Sequence, residues 1–297
     1  MTGSRRTIVG APLLAAALWG GMYVVSKWGF SAIPPITLGF LRVTVGGTVL
    51  YAVVATQYPD REFARADLKG FLGLGALLTA TIVTQFVGTD LTNASQASLL
   101  TVATPVFTVL LGATLLKEHV TTRRALGVGL AAVGTLVVIA GQYDLSSLGS
   151  ANLLGVAGLL AASLAWAGYT VWGKPLVRKT SALETATYAT LASIPMLGVL
   201  AACELAVEGT NPMGLSLSLP VLGAIAYLGI GSTAVAWYLW YKGLEYVDAG
   251  TVAVFFFAQP LVGGVLGALL LSEDIGPLFV AGGLVMIVGV YLTSTDE

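Results

Sequence analysis

The chain has 297 residues, of which 56% are hydrophobic and only 10% charged, and its formal net charge is −1. A soluble domain carries about 25% charged residues, so this composition excludes a water-facing globular surface, and the balanced charge gives no electrostatic case for nucleic acid. One cysteine, Cys203, excludes an internal disulfide and any multi-cysteine metal site, and one histidine, His119, excludes zinc motifs built on paired histidines.

Hydropathy divides the chain into ten apolar stretches, each near the ~20 residues that cross a bilayer as a helix. In chain order they are Ile8–Phe30, Ile36–Thr56, Leu68–Gly88, Thr92–Leu116, Arg124–Gly141, Leu153–Gly173, Leu183–Ala206, Leu217–Tyr241, Ala249–Leu271 and Leu278–Thr293, here spans one to ten. Arg5 and Arg6 before an Ala/Leu run imitate a signal peptide. The run stays apolar to Phe30 and its pattern returns later, so it reads as a span. Mid-helix prolines make spans four and nine the most irregular. Gln142–Asn152 and Val207–Ser216 are rich in Gly, Ser, Asn or Pro and read as surface loops. The joining segments are too short for a soluble domain.

The halves repeat. Trp19, Gly21 and Lys27 return with identical spacing as Trp166, Gly168 and Lys174. At a second fixed offset, Gly88, Ala94, Pro105, Gly112, Ala113, Glu118, Gly127 and Gly134 return as Gly243, Ala249, Pro260, Gly267, Ala268, Glu273, Gly282 and Gly289. Five spans per repeat is odd, so the second half enters the membrane upside down. The predicted fold is an all-α membrane protein of ten transmembrane helices in two inverted five-helix repeats, 1–145 and 146–297. With the N-terminus in the cytoplasm, inside segments hold twelve of the 14 basic residues, and Lys27 and Arg42 fall within spans. The outside loops hold none. This bias predicts cytoplasmic termini, here in a bacterial inner membrane.

The first-span WGGMYVVSK and its echo WAGYTVWGK, the prolines of ATPVF and AQPLV, and the stretch LLKEHVTTRRALGVGLAAVG together resemble the drug/metabolite transporter superfamily, in its ten-helix EamA-type branch. The likeness covers nearly the whole chain. It implies a secondary transporter, not an enzyme, that exports amino acids and other small metabolites; one subgroup moves aromatic amino acids. It also implies a central cavity among spans one to four and six to nine, with five and ten outside. A multidrug or organic-cation exporter of the same superfamily is the alternative.

Trp19, Tyr23 and Lys27 recur every fourth residue and share a helix stripe, as do Trp166, Thr170 and Lys174. Trp19 and Trp166 fall at mid-membrane, away from the interfaces where tryptophan collects. Facing a cavity they would stack on a flat substrate or grip a cation; otherwise they pack between helices. Gln259 is a buried amide that must face protein or cavity. Thr101, Thr104, Ser163 and Tyr169 complete the candidate substrate contacts. Lys27 and Arg42 are candidate pathway charges: Arg42 beside a substrate carboxylate or bound to backbone carbonyls, Lys27 in the path or snorkelling, as Lys174 also reads. Pro105 and Pro260 each remove an amide donor in mid-helix and are candidate hinges. Weaker polar stripes are Thr81, Thr84, Gln85 and Gly88 on span three, and Tyr227, Gly231, Tyr238 and Tyr241 on span eight. Of Phe255, Phe256 and Phe257, at most two rings face a cavity.

Gly127, Gly129 and Ala132 imitate a dinucleotide fingerprint, but no strand precedes them; with Gly134 they read as a close-packing face. No Walker motif is present, so ATP is not a direct driver, and no cofactor or metal is expected. No span carries a mid-depth Asp or Glu, so the expectation is facilitated flux or coupling through an unidentified site. The same lack leaves an intramembrane enzyme without acid–base machinery, and paired prolines suit two gates better than a channel filter. The expected partners are a small-molecule substrate and the bilayer. The oligomeric state stays open and is compatible with a monomer.

Overall fold

A computed structural model describes residues 2–58, 62–92, 97, 100–101, 103–142, 153–215, 217–259, 261–262 and 276–294. The described elements are helical. Span one is two helices, Thr2–Gly20 and Met22–Gly29, joined through Gly21. Span two is Pro35–Gln57, span three Arg65–Leu91, and span four is described over Ala103–Leu115. Spans five, six and seven are Thr122–Gln142, Leu153–Lys179 and Ala182–Glu208. Span eight runs Leu219–Leu244. Span nine is described as Ala249–Val254 followed by the 3-10 turn Phe255–Phe257, and span ten is Pro277–Ser294. Spans two, three, six, seven and eight are each long and apolar enough to cross a bilayer by length and composition alone.

Local chemistry sets the ends. Pro35 opens span two, where proline's missing N–H costs nothing. The Glu204 carboxylate accepts from the freed amides of Ile36 (2.8 Å) and Thr37 (2.6 Å), so span seven caps span two. Ser181 accepts from the Glu184 amide at the start of span seven. Gly209, at φ 66°, ends that span in the left-handed conformation that favours glycine.

Packing follows the repeat. Span one packs on span eight and span six on span three; span two packs on seven, four on nine, and five on ten. Exchanging the halves leaves these pairs unchanged, as a two-fold axis requires, and five spans per half place that axis in the membrane plane. Spans five and ten stand apart as a pair. A Cβ on Gly134 would lie 2.6 Å from the Gly282 carbonyl oxygen, so only glycine admits this approach. Gly127 meets Gly289 in the same way, but Gly129 faces open space and takes no part in that face. Exposed Leu110, Leu126, Leu136, Leu154 and Leu284 form an apolar exterior that fits lipid and not water.

Span nine is irregular as expected, with its 3-10 turn, and span eight is irregular too, although the sequence shows no proline in its mid-helix. After Leu219–Ala226 it passes through a π-helical stretch, Tyr227–Val235, before resuming as Ala236–Leu244. Spans one, six and seven carry Pro12, Pro175 and Pro195 inside continuous helices. Pro260 and the 145/146 boundary between the repeats lie outside the described residues.

Candidate functional site

Spans one, two, three, four, six, eight and nine enclose one cavity. Its described walls are Trp19, Met22, Tyr23, Arg42, Thr81, Ile82, Gln85, Thr101, Thr104, Ala162, Ser163, Trp166, Trp237, Phe256 and Gln259. Its free volume is about 30 Å³, room for about one water molecule. A metabolite enters only after the walls move.

Four rings crowd one end. Trp19 meets Trp166 edge-on at 5.2 Å between centroids and Phe256 at 5.2 Å, and Trp240 backs them at 5.3 Å from Trp19. Trp237 lies 6.1 Å from Trp166. Such offset and edge contacts hold each plane by its quadrupole. The Trp19 indole N–H donates to the Ser232 carbonyl at 2.8 Å. The Trp166 indole nitrogen and both amide atoms of Gln259 are buried with no partner among the described residues. An unmet buried polar group costs about 1–3 kcal/mol, so these atoms are suited to meet a polar guest.

Arg42 forms the other pole. It is 1% exposed. Its Nε donates to Thr233 Oγ1 at 2.7 Å and its Nη2 to the Ser232 carbonyl at 3.0 Å, and Nη1 faces the Met22 thioether. The guanidinium carbon lies 5.5 Å from the centroid of the Phe86 ring and 5.7 Å from that of Trp237. No carboxylate among the described residues pairs with it. Arg42 therefore combines both sequence readings: it binds a backbone carbonyl and it lines the cavity.

Most of the remaining candidates gather here too. Gln85 donates to the Tyr23 hydroxyl at 2.8 Å, and Ser163 to the Leu100 carbonyl at 3.3 Å. Thr101 and Thr104 line the wall just before Pro105, where the Thr101 carbonyl accepts the Thr104 amide at 2.9 Å. Proline cannot supply the amide that this carbonyl would otherwise take. Tyr169 does not reach the cavity. It is fully buried behind Trp166, between it (4.9 Å) and Tyr241 (5.0 Å). Lys27 lies at the end of span one away from the termini and donates to the Asp90 carbonyl at 2.7 Å.

The structure adds what the stripes missed. From span eight Trp237 faces the cavity and Tyr238 does not. Tyr227 instead donates to the Leu18 carbonyl at 2.6 Å, and Tyr241 to the Tyr169 carbonyl. An i→i+5 ladder slips the register, so residues beyond the π stretch turn away from the face an α-helical spacing assigns. Of the span-three stripe, Thr81 and Gln85 line the cavity, whereas Gly88 packs against Leu159. Lys174 does not snorkel. It is bonded to Glu118 at 2.6 Å and to Asp248 at 2.5 Å, with only 7% of its side chain exposed. Glu118 also accepts from the Ala249 amide, and Arg124 pairs with Asp248 at 3.4 Å. This network ties the two halves together on the side that carries the termini.

Apolar helices in two inverted halves, closed around a small aromatic and polar cavity, define a multi-pass membrane transporter. The chain belongs to the EamA-like transporter family, whose model matches it twice, at residues 6–140 and 153–295. An uncharacterized transporter of Archaeoglobus fulgidus is 28% identical over 281 residues, covering 94% of this chain and 95% of the relative. A probable amino-acid metabolite efflux pump of Escherichia coli is 28% identical over 286 residues, covering 94% and 92%; one of Salmonella typhimurium is 26% identical over 287 residues with the same coverage. A solved crystal structure shares the fold at a TM-score of 0.78 and 18% identity, covering 96% of this chain and 95% of that one. The family is one of transporters and not of enzymes.

Proposed function

We propose that the protein exports amino acids, or close metabolites with a carboxylate and an apolar or aromatic body, by alternating access through the central cavity. The observation that carries this reading is Arg42. A charge buried at membrane depth needs a partner, and this one has none among the described carboxylates. A substrate carboxylate supplies it. The rings of Trp19, Trp166, Trp237 and Phe256 then receive the apolar body, the Gln259 amide oxygen accepts from the amino group, and the Trp166 indole N–H is left to donate to a substrate oxygen. The efflux-pump names of two relatives support amino acids as the class. An organic cation would suit the rings but would stand beside Arg42 with no carboxylate among the described lining residues to balance it.

The bias of basic residues supports an inner-membrane placement with both termini in the cytoplasm. On that placement the Lys174 network closes the cytoplasmic side. The described lining holds no carboxylate to carry a proton, which supports flux down the substrate gradient. Counterflow in proteoliposomes with aromatic and aliphatic amino acids tests the class. Saturable exchange of at least one is expected, and exchange of none overturns the amino-acid reading. Uphill accumulation driven by an imposed pH step would contradict the uncoupled part.

A further inference from the structure

We propose that Thr233 and the Ser232 carbonyl, presented by the π-helical stretch of span eight, are positioning groups. They hold Arg42 so that its outer fork faces the cavity, and the substrate carboxylate docks on that fork in place of the Met22 thioether. This inference rests on the carboxylate reading above and assigns the geometry behind it.

The argument starts from donor arithmetic. A guanidinium carries five N–H donors in a planar array. Nε and one Nη2 proton point to the same side, and this pair is committed to Thr233 Oγ1 (2.7 Å) and the Ser232 carbonyl (3.0 Å). The end-on pair, Nη1 with the second Nη2 proton, is left. Its one hydrogen-bond contact among the described residues is the Met22 sulfur, and a thioether is a weak acceptor. Met22 lines the cavity beside Arg42, and methionine is the most adaptable of apolar side chains. A carboxylate matches the end-on fork with two parallel bonds. Exchanging sulfur for carboxylate therefore strengthens both contacts, and only a flexible side chain has to move.

The π stretch carries both acceptors of the inner fork, Thr233 Oγ1 and the Ser232 carbonyl. An α-helical carbonyl spends one lone pair on the amide four residues on. The Ser232 carbonyl receives two side-chain donors, Trp19 Nε1 at 2.8 Å and Arg42 Nη2 at 3.0 Å. Both come from the other repeat. Thr233 Oγ1 donates to the Leu228 carbonyl five residues back at 2.8 Å, which orients its lone pairs toward Arg42 Nε. The Thr233 methyl packs where Gly46 leaves room: a Cβ on Gly46 would lie 2.8 Å from Thr233 Cβ. Span two and span eight are thus locked at the level of Arg42, and the two stacked rings, Phe86 and Trp237, keep the guanidinium plane from rolling.

The test uses the full-length protein in proteoliposomes, with labelled L-phenylalanine for flux and unlabelled L-phenylalanine against phenethylamine, its decarboxylated amine, as competitors. Thr233→Val keeps the shape and deletes the hydroxyl. It is expected to raise the half-saturation concentration about tenfold, as loss of a hydrogen bond to a charged group does, and to shrink the preference for phenylalanine over the amine. Maximal flux should hold, and Thr233→Ser should restore both. A Thr233→Val protein with wild-type preference, while Arg42→Gln loses it, overturns this inference and leaves the carboxylate reading standing. An Arg42→Gln protein with wild-type preference overturns the carboxylate reading itself, as does a wild type that moves neither phenylalanine nor any other labelled aromatic or aliphatic amino acid. Met22→Leu gives an independent measure that does not depend on the Thr233 variants folding: it should lower the half-saturation concentration, and no change or a rise overturns docking at the Met22 position.

Discussion

Gln259 shows how a single residue separates stability from function. Both of its amide atoms are buried and unmet among the described residues. Replacing such a group by an apolar side chain of similar size is neutral or stabilising, because the desolvation penalty goes with it. Gln259→Leu is therefore expected to keep or raise the thermal midpoint while raising the half-saturation concentration for substrate about tenfold. A lowered midpoint with unchanged flux would assign the residue to packing alone. Gln259 was legible in the sequence because an amide inside an apolar run has few reasons to be there. Trp237 was not: its neighbour Tyr238 carries the helical spacing, and only the slipped register of the π stretch turns Trp237 inward. Tyr169 is the converse, since its place beside Trp166 in sequence says nothing about which side of the ring it lies on.

At the scale of the element, the glycines of spans five and ten set how closely two helices approach. Gly134→Ala inserts a methyl 2.6 Å from the Gly282 carbonyl oxygen, an overpacking that typically costs 1–3 kcal/mol. The expected result is a lower thermal midpoint in detergent with an unchanged half-saturation concentration, because neither helix lines the cavity. Gly129→Ala, which meets nothing within 4 Å, should be silent in both assays. Equal effects at the two positions would contradict the close-packing role. The periodic glycines were readable as a face, but the sequence could not say that Gly129 lies off it. Nor did it reveal the π stretch. No residue type marks a register slip, and the partners that span eight meets there, Arg42 of span two and Trp19 of span one, are remote in sequence.

At the scale of the molecule, charge pairing joins the two halves. Lys174 is buried between Glu118 and Asp248, whereas its counterpart Lys27 remains 35% exposed beside Asp90. The Lys174 network stands on the side bearing the termini and holds Glu118 and Arg124 of one half to Lys174 and Asp248 of the other. Removing one partner of a buried ion pair costs about 3–5 kcal/mol, so Lys174→Met should shift the protein toward opening on that side. With Cys203→Ser and a reporter Ala162→Cys in the cavity wall, a membrane-impermeant maleimide should label the Lys174→Met protein from that side faster than its parent. Equal labelling rates would remove the gate role. The pH dependence has a definite sign. Burial pushes the Asp248 carboxyl up, but the bonds and charges of Lys174 and Arg124 outweigh it and hold the carboxyl below the ordinary 3.8. Its contribution to closure is complete above that value and is lost as pH falls through the lowered one. The ratio of Lys174→Met to parent labelling rates, which cancels the thiol's own ionisation, should therefore not change between pH 6 and 8.

The sequence by itself determined the membrane class, the ten spans, the duplication and the family, because these rest on apolar length, charge bias and spacing, which are written residue by residue. It also marked most of the cavity wall, since polar and aromatic residues at mid-depth are costly without a polar neighbour. The tertiary structure alone decided which charge is paired and which is not: Lys174 is neutralised by Glu118 and Asp248, distant in sequence, while Arg42 is anchored to span eight with a donor pair to spare. Pairing is a property of three-dimensional proximity between segments up to about two hundred residues apart, and no local pattern encodes it.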